Sequence, residues 1–193
     1  MKTVKVIMHG CNGKMGQTIS GLAAAEEEIE IVAGIDAYDD GHNPYPVFTD
    51  ISQCDVEADA LIDFSTAAAV DGLLDYCAEK KLPCVLCTTG LSEEQLARVK
   101  EASGKTAVLK SANMSLGINM LMKLLKEAAP VLDGAGFDIE IVEKHHNQKI
   151  DAPSGTALAL ADVIRDELAD GYDYVYDRSA KREKRSRKEI GIS

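Results

Sequence analysis

Tryptophan is absent from this sequence and phenylalanine occurs only three times. No run of about 18 apolar residues exists, so no segment is a candidate membrane-spanning helix. The opening Met1-Lys2-Thr3-Val4-Lys5 lacks an apolar signal core followed by a small-residue cleavage site. The expected compartment is therefore cytoplasmic. Positive charge is in deficit: 21 Lys and Arg stand against 32 Asp and Glu, a net charge of −11. A field of that sign disfavours nucleic acid and anionic membranes as partners. An anionic substrate would then have to be met by a local basic cluster. The one strongly basic run, Lys181 to Lys188, reads from its charge pattern as a solvated or disordered loop.

Five cysteines, Cys11, Cys54, Cys77, Cys84 and Cys87, make an odd number in a chain with intracellular character, so no disulfide framework is expected. Cys84 and Cys87 have C-x-x-C spacing but lie in an apolar, strand-like run, where positions i and i+3 point to opposite faces. No Cys/His set has zinc spacing, and no metal is expected.

What remains is an ordinary globular composition, 193 residues with 46% apolar, enough for one large domain or two small ones. The first half alternates apolar runs with helical periodicity. Residues 4–8, 29–35, 60–64, 83–87 and 106–109 read as strands. Met15, Ile19, Leu22 and Ala23 fall on one helical face, residues 70–80 are helical, and Ser92 begins a helix over 93–102. Strands separated by helical crossovers imply an α/β fold with a parallel sheet covered on both faces. The pattern changes near residue 114. A helix over 118–129 is expected to stop at Pro130. Phe137, Ile139 and Ile141 then alternate with more polar positions, as in a half-buried strand of an antiparallel sheet. A last helix over 157–168 puts Ala157, Leu160, Ala161, Ile164 and Leu168 on one face. The reading divides the chain into residues 1–114 and 115–193.

Gly10-Cys11-Asn12-Gly13-Lys14-Met15-Gly16 sits between the first strand and the first helix. Its G-x-x-G-x-x-G spacing is a variant of the dinucleotide fingerprint. One glycine turns the chain sharply, another lets the backbone approach a pyrophosphate, and the last allows close helix–strand packing. The helix start adds free N–H groups and the positive end of a dipole. Asp36, 20 residues beyond Gly16 at the end of the second strand, can accept hydrogen bonds from a ribose 2′-OH and would repel a 2′-phosphate. NADH is expected to be preferred, with Lys14 leaving NADPH usable.

Glu143 to Thr156 gathers Lys144, His145, His146 and Lys149 ahead of a Pro-Ser-Gly-Thr turn that opens a helix. Ser154 can cap that helix, and the Gly155 and Thr156 amides would point at an anion. The same groups suit proton delivery after hydride addition to a C=C or C=N bond, worth roughly 10²–10⁴ in rate. The bland reading is a solvated basic loop.

These segments together resemble the 4-hydroxy-tetrahydrodipicolinate (dihydrodipicolinate) reductase family. The resemblance is carried by GCNGKMG at 10–16, DFSTAAAV at 63–70, CTTGLSEEQ at 87–95, SANMSLGINM at 111–120 and EKHHNQKIDAPSGTAL at 143–158, the last being highly specific. It implies a Rossmann-like doubly wound parallel sheet over 1–114. A smaller α+β domain for substrate binding and oligomerisation would follow over 115–193. It implies NAD(P)H-dependent reduction of 4-hydroxy-tetrahydrodipicolinate, a small dicarboxylate, in lysine and diaminopimelate biosynthesis. Gly10, Cys11, Asn12, Gly13, Lys14 and Met15 would hold the pyrophosphate and Asp36 the adenosine ribose. Cys87, Thr88, Thr89, Ser111, Ala112, Asn113 and Met114 would line the nicotinamide. His145 would match the family's proton donor or acceptor and Lys149 its proton donor, with His146, Gly155 and Thr156 on the substrate carboxylates. A homotetramer is typical.

Two features depart from the pattern. Cys87 stands where the family often has Gly. The family also usually continues for several dozen residues past a segment like 188–193, so the second sheet is expected to lack partner strands and expose edges. From that departure comes the alternative of a catalytically inactive NADH-binding module. Another Rossmann reductase acting on an imine or semialdehyde fits less well, because it needs no dicarboxylate cradle.

Overall fold

A computed structural model describes residues 2–147, 149, 151–169 and 171–193. It divides into two compact units, Met1–Ser111 and Ala112–Ser193. Among the described residues no helix is long and apolar enough to cross a membrane.

The first unit contains β1 (Val4–His9), α1 (Lys14–Ala23), β2 (Ile29–Ile35), β3 (Val47–Phe48), β4 (Ala60–Asp63), α2 (Ala67–Lys80), β5 (Cys84–Leu86), α3 (Glu93–Ser103) and β6 (Val108–Lys110). The strands form one parallel sheet in the order β3-β2-β1-β4-β5-β6. Its core joins Ile7, Ala33, Leu61 and Leu86 of the strands to Val70, Leu73 and Leu74 of α2. Each such fully buried large aliphatic contributes about 1.5–3 kcal/mol. The helix α3 opens on a capping box in which the Ser92 side chain accepts from the Gln95 amide and the Gln95 side chain accepts from the Ser92 amide. In α1 the packed positions are Gly16 and Ala23, whereas Met15 and Leu22 stay exposed, so only part of the expected apolar face is used.

This is the doubly wound, Rossmann-like order. The winding reverses between β1 and β4, and a crevice opens there at the carboxyl ends of the strands. The two-residue edge strand β3 has too few residues to show a period, and sequence patterning does not find it.

The second unit contains α4 (Leu116–Gly134), β7 (Ile139–Ile141), α5 (Gly155–Glu167), β8 (Asp173–Tyr176) and β9 (Glu189–Ile192). Ala129 of α4 and Ala157, Ala161 and Ile164 of α5 bury Ile190 and Ile192 of β9.

Three expectations are corrected here. Helix α4 does not stop at Pro130 but continues to Gly134. Proline forfeits one N–H bond, while Ala129 beside it is held in the core. The stop is Gly136, at φ +91, after which the Phe137 amide bonds back to Leu132 O at 3.0 Å. Strand β7 is not antiparallel to its neighbour. The sheet runs β7-β9-β8, and both pairings are parallel. Direction is set by the connections: helix α5 carries the chain back between β7 and β8, and about a dozen residues do so between β8 and β9.

The basic run occupies that second connection and is not merely solvated. Arg178, just before the run, donates to both Glu189 carboxylate oxygens at 2.7 Å. Within it, Arg185 bonds Ile139 O and Glu140, and Arg187 bonds Gly136 O at 2.7 Å. The arginines thus pin the crossover to the start of β7 and neutralise a carboxylate in the middle strand.

Candidate active site

In the first unit a cleft of about 700 Å³ lies at the carboxyl ends of β1, β2 and β4. Gly10, Gly13, Asp36, Tyr38, His9 and Ser65 are among its walls. Gly10 sits at φ +80, and a Cβ there would lie 2.6 Å from Phe64 O, so the turn off β1 admits glycine alone. A Cβ at Gly16 would lie 2.1 Å from Gly10 O, which explains the third glycine as a packing requirement. Helix α1 has no side-chain cap, and its first amides are left to an anion, worth about 0.3–1 kcal/mol.

Asp36 is fixed by two amides. Asn12 N donates to Oδ2 and Ala37 N to Oδ1, each at 2.8 Å. The carboxylate is thereby locked beside the glycine loop with lone pairs left over. Asn12 is held in turn, its Nδ2 donating to Tyr38 O at 2.6 Å and its Oδ1 accepting from Asn43 at 2.7 Å. Cys11 is fully buried, and a Cβ on Gly34 would meet its Sγ. Burial, reinforced by Asp36, pushes its thiol up to about 11. Only its backbone is available to a ligand.

A polar network underlies this cleft. His9 ends β1 and Asp63 ends β4, side by side in register. His9 Nδ1 is 2.9 Å from Asp63 Oδ1, close enough for an ion pair but not aligned as a hydrogen bond. Thr88 Oγ1 donates to Asp63 Oδ2 at 2.6 Å, and the Ser65 amide to Oδ1 at 3.3 Å. Burial alone would raise the Asp63 pKa, but His9, Ser65 and Thr88 outweigh it and hold the carboxyl below its usual range. Cys87 follows β5, its amide bonded to Asp63 O at 2.9 Å, and burial lifts its thiol to about 11. Thr88 is buried and Thr89 exposed. Ser111 N donates to Leu86 O at 3.0 Å. These four positions stand at the carboxyl edge of β5 and β6 but outside the walls of the 700 Å³ cleft. Ala112, Asn113 and Met114 belong to the second unit.

The second unit carries its own pocket, about 370 Å³, at the carboxyl ends of β7, β8 and β9. His145, Lys149, Glu143, Asp151, Tyr176 and Asp177 line it. It is framed by the loop joining β7 to α5. Glu143 anchors that loop to the helix. The Ser154 amide donates to Glu143 Oε1 at 2.7 Å, and the Ser154 hydroxyl donates to Oε2. Ser154 Oγ also accepts from Ala157 N at 3.1 Å, capping α5. Glu143 Oε2 lies 3.6 Å from His145 Nδ1, within reach of an ion pair. Burial opposes its charge, yet the two Ser154 donors, His145 and Lys149 keep its pKa low. Lys149 Nζ pairs with Asp151 Oδ1 at 2.6 Å.

His145 and Lys149 therefore share one pocket, while His146, Gly155 and Thr156 are not among its walls. His146 is exposed, and its carbonyl accepts from Lys149 N at 3.1 Å. Gly155 and Thr156 form the first turn of α5, where Thr156 Oγ1 accepts from Asn113 Nδ2 at 2.9 Å. Glu143, Asp151, His9 and Asp63 were not singled out from sequence. The signal for Asp63 was an acid closing an otherwise apolar strand run.

A further hollow of about 490 Å³, walled by Lys2, Lys5, Asp59 and Tyr76, lies at the amino ends of the first sheet. Parallel sheets take ligands at the opposite edge.

Comparison with known proteins matches residues 4–114 to the profile of "Dihydrodipicolinate reductase, N-terminus" and residues 117–193 to that of "Dihydrodipicolinate reductase, C-terminus". The chain belongs to the dihydrodipicolinate reductase family. Within that family, the 4-hydroxy-tetrahydrodipicolinate reductase of Caldanaerobacter subterraneus subsp. tengcongensis is 52% identical over 189 residues, 98% of this chain and 74% of the relative. The Clostridium tetani enzyme of the same name is 49% identical over 98% of this chain and 73% of its own length. This family member thus spans about three-quarters of the length of those relatives. A solved dipicolinate-bound dihydrodipicolinate reductase from Paenisporosarcina sp. TG-14 superposes with a TM-score of 0.73 at 25% identity, covering 98% of this chain and 79% of that one.

Proposed function

We propose that this chain is a nicotinamide-dependent oxidoreductase that converts 4-hydroxy-tetrahydrodipicolinate to tetrahydrodipicolinate in lysine and diaminopimelate biosynthesis, with NADH preferred. The observation that carries the reading is the pairing of His145 and Lys149 in one pocket next to the amide end of α5. Relatives of the same family, near 50% identical, bear that enzyme's name, and a dipicolinate-bound relative shows the fold accepting a dicarboxylate.

Each residue then has a task. The glycine loop 10–15 and the first amides of α1 hold the pyrophosphate, and Asp36 takes the ribose hydroxyls. Cys87, Thr88, Thr89 and residues 111–114 face the nicotinamide end. A bound dihydronicotinamide supplies the hydride. Lys149 delivers the proton that balances it, and the 4-hydroxyl leaves as water, so that substrate, NADH and one proton give product, NAD⁺ and water. His145, beside Glu143, is the second proton-handling group. His146, Gly155 and Thr156 bind the carboxylates. A carboxylate at Asp36, already held by two amides, repels the extra phosphate of NADPH.

The test is NADH oxidation followed optically, with substrate formed from aspartate semialdehyde and pyruvate. Lys149→Ala should lower kcat by roughly 10²–10⁴ and leave NADH affinity nearly intact. Unchanged turnover would remove Lys149 from the role of acid. NADH binding with no turnover by the parent chain would favour a non-catalytic NADH-binding module.

A further inference from the structure

The second pocket is less basic than the sequence alone implies. Its walls include three carboxylates, Glu143, Asp151 and Asp177, against one ammonium and one imidazole. A dianion approaching such a pocket meets repulsion unless its partners are released to it. The three carboxylates are not equivalent. Glu143 is committed to Ser154 and His145 and is held in place by them. Asp177 accepts from the Ser179 amide and hydroxyl, each at 2.9 Å. Asp151 is half exposed, and its partner is Lys149, at 2.6 Å.

Resting on the function proposed above, we infer that Asp151 is a built-in surrogate for a substrate carboxylate, occupying the Lys149 ammonium until a dicarboxylate displaces it. The donor it engages is the ammonium that the proposed reaction turns toward the substrate. A carboxylate side chain is also the same chemical group as the one to be displaced. The exchange is feasible because the pair is exposed, and an exposed ion pair is weak enough to be traded for a better-placed one. The device holds the ammonium in position, and it excludes monoanions that cannot outcompete the internal carboxylate. Asp151 is in this sense a specificity-determining residue acting through Lys149.

Calorimetric titration of the full chain with dipicolinate tests this. Asp151→Asn should tighten dipicolinate binding roughly two- to fivefold, the range expected for an exposed ion pair. Asp177→Asn removes a charge from the same pocket without touching Lys149 and should change affinity less. In a Lys149→Ala background, which itself should weaken binding, the gain from Asp151→Asn should vanish. An Asp151→Asn variant that binds dipicolinate no better than the parent overturns the inference. So does a gain that persists without Lys149, because the effect would then be one of net charge. Failure of the underlying reading looks different: Lys149→Ala would leave turnover unchanged.

Discussion

The two units place their candidate sites in equivalent positions, yet build them from opposite materials. Each uses a loop leaving the carboxyl end of a parallel strand and entering a helix: residues 10–13 between β1 and α1, and residues 142–154 between β7 and α5. In the first, the short loop offers backbone. Its glycines clear space, the amides of α1 face outward, and the nearby carboxylate of Asp36 is itself held by amides. In the second, the longer loop offers side chains, with Lys149 2.6 Å from Asp151 and His145 3.6 Å from Glu143. A cofactor common to many enzymes needs only shape and a dipole, whereas a particular substrate needs titratable groups. The first site should therefore fail when atoms are added, the second when charges are removed.

The largest effect expected in the first unit is steric. Gly16→Ala would drive a methyl into Gly10 O and the Cys11 backbone, and should destabilise that unit by about 3 kcal/mol and abolish NADH binding. Denaturant unfolding and an NADH fluorescence titration would measure both. If Gly16→Ala binds NADH normally, the backbone account of this site is wrong.

The next effect is on stability against acid. The Asp63 pKa is held below its unfolded value by His9, Ser65 and Thr88, so the folded state binds this proton less readily than the unfolded chain. Its stabilising contribution is complete above the ordinary carboxylate range and is lost as pH falls through the lowered folded value. The urea midpoint should accordingly drop on acidification, and Asp63→Asn should flatten that slope. An identical slope in the variant would place the acid sensitivity elsewhere.

A smaller change is expected at Asp36. Replacing it with Ala should shift the NADH-to-NADPH affinity ratio by about tenfold, near 1.4 kcal/mol, toward NADPH. Titrating both cofactors would expose an unmoved ratio, which would free Asp36 of any role in choosing between them.

The alternation of strands and helices in the first unit was legible because a parallel sheet buried on both faces demands near-continuous apolar runs, and those runs are local. Caps were legible too: Ser92 and Ser154 each bond the amide three residues ahead. What local pattern could not supply was direction and partnership. The alternation around Ile139 says that one face is buried but not which way the neighbour runs, and that depends on α5 and the crossover. Pro130 broke a local rule that packing at Ala129 overrode. At the site, residue types were readable and pairings were not. Nothing near position 151 indicates that its carboxylate rests on Lys149, and nothing near position 9 announces Asp63, over fifty positions away. Arg185 of the basic run was visible as charge, but its partners, Ile139 O and Glu140, lie in β7, 46 and 45 positions away.

The strand order of the second sheet also bears on how the chain is made. Strands β7 and β8 do not touch each other, since β9 lies between them and supplies the hydrogen bonds of both. Translation delivers β9 after the other two, so during synthesis both wait unpaired, while the first unit already has every strand it needs. Until that middle strand emerges from the ribosome, the nascent second half presents two open strand edges, and it is then that a chaperone or an unwanted neighbour would find it.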